Sequence, residues 1–581
     1  MYIERVPNRS SPPAVLLRES YREGDQVRKR TIANLSELSD DVIENLKAAL
    51  KGGKVIDNIE SVLKVKRSLP HGHVAAILGT IKTRGLEGII ESENSKRNAI
   101  IKSLITARII EPKSKLATSR GLRKETANSS LGKILKLEKV TEDDLYEALD
   151  WLSENQEAIE EKLAAKELKE GSLVLYDLTS TYLEGEACNL GKYGYSRDKK
   201  RGYTQIVFGL ICNSEGCPVA VEVFPGNTND ARTVKKQIEK VRDRFGLSSV
   251  VWVGDKGMIT TMVIKEELSN SEGIDWITTL RKSQIKQLVE RKEIQLGLFD
   301  EKNIVEIESD EYPGERLVVC KNPLLAASNQ YKREELIKAT AIELDKIVAA
   351  TQREKRALSG QDKIGLRVGK VINKYKVGKY FELEITENSF YYSLKQEIKE
   401  ADEVMDGLYM IRTSVKAASL STIETVKAYK KLAKVEQAFR SLKSIDLKVR
   451  PIYHYRDNRV KAHIFLCMLS YYVEWYMQRS LTSLLFKEGA EELSLDESRV
   501  LKYQASSKTK RKSRTKRNEL DEPVHSFRTL LSDLGTICLN TIEVIAVGQS
   551  LVFEKITELT ELQQRAMDLL QVSHFCTHVN C

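Results

Sequence analysis

LVLYDLTSTYLE (residues 173–184) decides how this chain is read. It is an apolar, strand-like run interrupted at its centre by Asp177. A carboxylate there is disfavoured by strand propensity and costly to bury unpaired. Turn capping does not account for an Asp between Tyr176 and Leu178, so the position implies a function that offsets the cost. Two later runs offer partners. SVVWVGDKGM (249–258) ends a second apolar strand on Asp255, and AYKKLAKVEQAFRSLKS (428–444) carries Glu436 on a basic helix. Converging, the three carboxylates would make a hard-cation site suited to phosphate chemistry.

The runs around Asp177 predict how they converge. YTQIVFGLIC (203–212) and CPVAVEVFPG (217–226), joined by NSEG, form a hairpin after the first strand. A helix over 230–246 crosses to the Asp255 strand, another covers 260–268, and IDWITTL (274–280) makes a fifth strand. Three antiparallel strands followed by alternating helices and strands describe an α/β fold, a mixed sheet with helices on its faces. In this order the first strand can lie beside the fourth, bringing Asp177 near Asp255. Asp230, in PGNTND, is taken as the cap of the helix that follows it.

Leu432, Val435, Phe439 and Leu442 follow the spacing of a buried helical face, and Glu436 lies about 40° from Leu432 on the wheel, at the border of that face. The rival reading is a solvated pair between Glu436 and Arg440. For Asp255 the rival is a turn cap within GDKG.

The chain has 581 residues, more than one hydrophobic core usually supports, and three to five domains or subdomains are expected, laid out along the chain as the following segments. Residues 1–95 hold an N-terminal hairpin (AVLLRESY, then VRKRTIANL) and helices, a candidate reader of DNA ends. Within them Ser39 is the expected N-cap of a helix with Ile43, Leu46 and Leu50 as its stripe. Residues 96–170 are helical, with Thr141 and Asp144 as a capping box. Residues 171–285 and 420–490 make the two parts of the core, 286–419 an inserted β-rich subdomain, and 491–581 a C-terminal helical region broken by KTKRKSRTKR (508–517).

Composition narrows the partners. Lys and Arg number 93 against 83 Asp and Glu, a net charge of +10 that suits a polyanion. The N-terminus lacks the hydrophobic stretch of a signal peptide. The longest apolar stretch, HIFLCMLSYYVEWYMQ (463–478), is short for a membrane span and carries Glu474, so it is read as a buried helix. A soluble intracellular protein without membrane association is expected. Eight irregularly spaced cysteines give no disulfide framework. Cys212 and Cys217, and the tail His574, Cys576, His578 and Cys581, are read as hairpin and frayed-tail residues rather than zinc ligands.

YDLTSTYLEG (176–185), QIVFGLICNSEGCPVAVEVFPGNTND (205–230), VVWVGDKGM (250–258) and YKKLAKVEQAFRSLK (429–443) with RPIYHYRDNRVKAHI (450–464) together resemble insertion-sequence transposases of the DDE class. The resemblance is closest to the IS-four-like group with a β-strand insertion before the final glutamate. It implies an RNase H-like catalytic core in which Asp177, Asp255 and Glu436 are the catalytic and metal-binding triad for two Mg²⁺ ions, with Mn²⁺ as substitute. It also implies Mg-dependent DNA cleavage and strand transfer with terminal inverted repeats and target DNA as partners, a homodimer in the synaptic complex, no nucleotide cofactor, and a prokaryotic cytoplasm with nucleoid association. An endonuclease without strand transfer and a domesticated DNA-binding protein are the alternatives.

In the signature around the glutamate, Tyr429 and Lys443 match, whereas Leu432 stands where an arginine is expected. Lys431, Lys434 and Arg440 are the candidates to replace that arginine. Further DNA contacts are expected from Arg450 and Arg459 beyond the glutamate helix, and from Arg197, Lys199, Lys200 and Arg201 in SRDKKRG, for which a solvated loop is the equal alternative. Lys510, Arg511 and Lys512 are expected to act as part of a flexible phosphate-binding arm.

Overall fold

The computed structural model describes residues 1–9, 11–52, 63–93, 95–185, 187–269, 271–294, 303–486, 511–512, 514–546 and 549–577. Strands β1 (Tyr2–Val6), β2 (Ala14–Glu23) and β3 (Gln26–Asn34) form an antiparallel sheet that contains the expected hairpin. In the helix Asp40–Leu50, Ser39 stands at the N-cap without a side-chain cap bond. Only Ile43 of the expected stripe is buried; Leu46 and Leu50 are exposed, so that apolar face is not covered by the described residues. β4 (Leu63–Pro70) then leads into a bundle. Its helix Lys96–Ile110 stops just before Pro112, and Glu142–Glu154 opens on the Thr141–Asp144 capping box.

The central sheet is mixed. β5 (Ser172–Tyr182), β6 (Gln205–Cys212) and β7 (Pro218–Pro225) are antiparallel neighbours; β8 (Val250–Val253) runs parallel to β5, and β9 (Ile274–Thr279) parallel to β8. The expected α/β, RNase H-like arrangement is present. Side chains alternate across a strand, so Leu175 and Asp177 share one face while Val174, Tyr176 and Leu178 share the other. Tyr176 and Leu178 pack with Trp252, Val234 and Ile238 under the helix Ala231–Glu239. Leu175, Phe208 and Val253 pack with Val435 and Phe439, residues of the Glu436 helix.

The region 286–419 differs from its reading as a β-rich subdomain. β10 (Ile304–Ile307), β11 (Arg316–Lys321) and, further on, β14 (Leu408–Thr413) extend the central sheet beyond β9, in the order β10-β11-β14-β9-β8-β5-β6-β7. An open sheet edge leaves backbone groups unpaired, and these β-branched runs satisfy it. Two long helices, Pro323–Thr351 and Gln361–Tyr375, with the ribbon β12 (Phe381–Ile385) and β13 (Phe390–Leu394), form a separate core around Leu344, Ile364 and Phe390. Helix therefore dominates the segment.

The helix Asp457–Ser480 runs through the molecular centre, buried along most of its length, Glu474 included, as the sequence implied. The C-terminal region, expected to be helical, also contains β15 (Cys538–Ala546) and β16 (Gln549–Ile556), and β15 pairs with β4 from the N-terminal part. The β-branched run TIEVI favours strand over helix there. Among the described residues no helix is long and apolar enough to cross a membrane. Cys212 and Cys217 are buried free thiols of the core.

Candidate active site

Register places the first two carboxylates. In the parallel β5–β8 pair Leu175 lies opposite Val253, so Asp177 stands two residues further along β5 and Asp255 two residues beyond the end of β8. Adjacent strands are about 4.8 Å apart, which makes the two side chains neighbours on one face. The same face is covered by the helix Ala433–Arg440, whose Val435 and Phe439 are buried and whose Glu436 is exposed beside them. Phe439 meets Phe208 of β6 edge to face at 5.6 Å, fixing the helix against the sheet. Asp177, Asp255 and Glu436 thereby line one open cleft of about 450 Å³, with Thr179, Arg197, Asp198, Asp230, Arg440, Lys443 and Arg450.

The electrostatics carry the mark of this convergence. Burial pushes the Asp177 carboxyl up to about 7; the Leu178 amide, donating at 2.8 Å, and Arg197 oppose this, while Asp255 and Glu436 add to it. Tyr429 donates to or accepts from Thr279 at 3.3 Å, and burial together with all three carboxylates raises its phenol. Asp255 also accepts the amide of Gly257, so it closes its turn as well as facing the cleft. Among the described residues no ion pair joins Glu436 to Arg440, and the solvated-pair reading fails.

Among the described residues no group of three or more His, Cys, Asp or Glu side chains stands close enough together to hold a metal ion as placed. The donor set nevertheless fits a hard divalent cation. Every candidate ligand is a carboxylate, burial and then the neighbouring Asp255 and Glu436 raise the proton affinity of Asp177, and the open cleft leaves room for the waters such an ion retains.

The helix read as continuous from Ala428 to Ser444 is broken. Thr422–Lys430 and Ala433–Arg440 are separate helices, and a π turn follows at Ser441–Ile445. Leu432 sits buried at the break. Lys431 and Lys434 both turn to Glu215 at the tip of the β6–β7 hairpin, at 3.2 and 2.8 Å, which leaves Arg440, exposed on the cleft, as the candidate to replace the missing arginine.

Other expected contacts divide. Arg450 and Lys443 both reach Asp198, each at 2.6 Å, and Arg197 pairs with Asp230 at 2.5 Å. Asp230 therefore faces the cleft and makes no side-chain cap, against its sequence reading. Lys199, Lys200 and Arg201 are exposed. Arg459 forms a bidentate pair with Asp150 at 3.0 and 2.9 Å, joining the central helix to the bundle; it is a brace there rather than a cleft residue. Lys512 is buried, donating to the carbonyls of Thr482 and Leu485, which does not fit a flexible arm; Arg511 is exposed, and Lys510 lies outside the described residues. Asp198 and Asp230 are the cleft residues that the sequence reading missed. A lone acid inside the basic run SRDKKRG was the available signal for Asp198.

Residues 169–473 match the profile of a family described as the transposase DDE domain, and residues 3–60 match the IS1634 family transposase N-terminal domain. No curated protein matches. Among solved structures, the cryo-EM structure of a piggyBac transposase synaptic complex with hairpin DNA is 10% identical, with a TM-score of 0.33, over 70% of this chain and 72% of that one.

Proposed function

The chain belongs to the transposase DDE-domain family and is a transposase of an IS1634-type insertion sequence, and on that premise we propose that it binds the element's terminal inverted repeats and catalyses their cleavage and strand transfer. A DDE domain goes with divalent-metal dependence; the finer reading is two Mg²⁺ ions, replaceable by Mn²⁺, held by Asp177, Asp255 and Glu436. When bound, such ions activate the attacking oxygen and stabilise the leaving one in an in-line displacement at phosphorus.

The observation that carries the proposal is the shared face. Strand register sets Asp177 against Asp255, and the packing of Phe439 on Phe208 brings Glu436 over them. The chain's own cations do the rest. Arg440 lines the same cleft with no acid in ion-pair range among the described residues and would neutralise the phosphodiester that enters it, while Arg197 and Arg450, beside it, are paired with Asp230 and Asp198. Water attacks at the element end in the first stage, and the freed 3′-hydroxyl attacks target DNA in the second, so no ATP is needed. The protein is taken to work as a homodimer bridging two ends, in a prokaryotic cytoplasm at the nucleoid.

The test incubates purified protein with Mg²⁺, DNA carrying the terminal repeats and a target plasmid. Cleaved ends followed by joined products are expected. Asp177→Asn, Asp255→Asn and Glu436→Gln should each bind DNA and leave it uncut. Full activity in any one of them refutes the role of that residue; cleavage without joining would make the protein a nuclease, and binding without cleavage a domesticated DNA-binding protein.

A further inference from the structure

Lys443, from the signature around Glu436, and Arg450, beyond the glutamate helix, are cations that the sequence would point at DNA, yet neither is free. Lys443 Nζ donates to Asp198 at 2.6 Å, to the Ser180 carbonyl at 2.7 Å and to Thr179 Oγ1 at 3.1 Å. An ammonium has three donors, and all are engaged. Arg450 reaches the other oxygen of the same carboxylate at 2.6 Å while lying over the Tyr182 ring. Asp198 is nearly sealed, its side chain 7% exposed, and it lines the cleft that holds Asp177, Asp255 and Glu436.

One anion with two oxygens, each against a different cation, is the arrangement in which a phosphodiester presents its non-bridging oxygens to a lysine and an arginine. We infer that Asp198 is an internal stand-in for a DNA phosphate, competing with the DNA backbone for Lys443 and Arg450 and so determining which DNA the cleft accepts. The inference rests on the reading that this cleft takes DNA.

The loop that carries Asp198 suits such an exchange. Lys199, Lys200 and Arg201 follow at once and are exposed, so withdrawal of one acid from the cleft shifts a cluster of cations with it. Lys199 holds a left-handed φ of 58°, a conformation that a side chain other than glycine adopts at a cost. The loop is held by Ser180 Oγ, which donates to the Tyr195 carbonyl and accepts from the Arg197 amide, by the Arg197–Asp230 pair, and by Lys200 over the Tyr182 ring. DNA that makes the full set of end contacts can displace the acid. DNA that offers phosphates alone must compete with it, so the carboxylate lowers non-specific binding more than specific binding.

The test measures binding of the full-length protein to random duplex and to terminal-repeat duplex by fluorescence anisotropy in EDTA, over 50–200 mM salt. Asp198→Asn is expected to bind random DNA more tightly, to narrow the preference for the repeat, and to steepen the salt slope by about 0.9 for each cation released, roughly a further three- to fourfold loss of affinity per cation across that range. Asp198→Glu should restore the wild-type slope. Weaker binding or an unchanged slope in Asp198→Asn, with its melting temperature retained, would show a permanent brace and overturn the inference. If that variant fails to fold, amide exchange of the wild-type loop decides: faster exchange at residues 196–201 on adding repeat DNA supports displacement, and unchanged protection refutes it. Wild-type protein that binds neither duplex would refute the proposed function itself, whereas binding with an unaltered slope refutes only the role of Asp198.

Discussion

In metal-free protein, Asp177→Asn should stabilise the fold increasingly as pH rises. Folded Asp177 keeps its proton to about pH 7, whereas the ordinary carboxyl ionises near 3.8. Between those values the native state binds more protons than the unfolded chain, so stability falls with rising pH. The contribution of the neutral carboxyl is whole below about pH 3.8 and is lost by the time pH passes about 7. At 1.36 kcal/mol per unit of pKa, ionisation of the unfolded chain costs the native state about 1.7 kcal/mol at pH 5 and about 4.3 kcal/mol at pH 8. An asparagine of the same shape has no such term. Its advantage over the wild type should therefore widen by about 2.6 kcal/mol between the two pH values, or roughly 5–10 °C for a cooperative unit of 150–250 residues. Thermal melts of both proteins in EDTA at pH 5 and pH 8 measure it, and excess Mg²⁺ at pH 8 should raise the wild type alone. An equal difference at the two pH values would mean that burial beside Asp255 and Glu436 does not hold the proton on Asp177, and the argument for a convergent carboxylate site would lose its electrostatic support.

Arg440→Gln should lower the salt slope of DNA binding by about 0.9, whereas Lys431→Gln should leave it unchanged, because Lys431 is committed to Glu215; anisotropy titrations over salt separate the two. Arg459→Ala should cost about 1 kcal/mol of stability through the lost pair with Asp150, without altering that slope, as read by melting temperature and the same titrations. Lys240→Met removes the cation between Glu160, at 3.2 Å, and Glu222, at 2.8 Å, and leaves the sealed Glu160 with only Arg244 at 3.7 Å as a cation partner; urea unfolding should show a loss of about 3 kcal/mol.

How much was legible in the sequence follows from the range of the forces involved. Strand alternation and hairpin spacing are local, and they placed Asp177, the β6–β7 hairpin and the crossover to Asp255 correctly. The buried stripe Leu432, Val435, Phe439 and Leu442 was equally local, and all four are buried. The break after Lys430 was not visible, because it is held by Glu215, an acid far along the chain on a hairpin tip. For the same reason the reading of 286–419 as a separate β-rich insertion did not foresee that β10, β11 and β14 join the central sheet: pairing across a long insertion depends on which edge is open, which no periodicity reports. β15 was missed because its partner, β4, lies at the other end of the chain.

Charge patterning misled more than apolar patterning did. A basic residue in a cluster reads as a phosphate contact, but Lys431, Lys434, Lys443, Arg450 and Arg459 each meet an internal acid. Counting cations along the sequence therefore overstates the grip on DNA, since the acids that neutralise them come from distant segments. Arg440 is different in kind. It projects from the Glu436 helix one turn beyond the carboxylate, lines the cleft, and among the described residues has no acid in ion-pair range. The helix that delivers the third carboxylate thus also delivers the cation left free for phosphate, so both depend on how that helix packs, through Val435, Ala438 and Phe439, the last against Phe208. A shift of that helix would misplace ligand and phosphate grip together. That coupling gives a physical reason for the helix to be pinned at both ends, by Glu215 before it and by Lys443 on Ser180 after it.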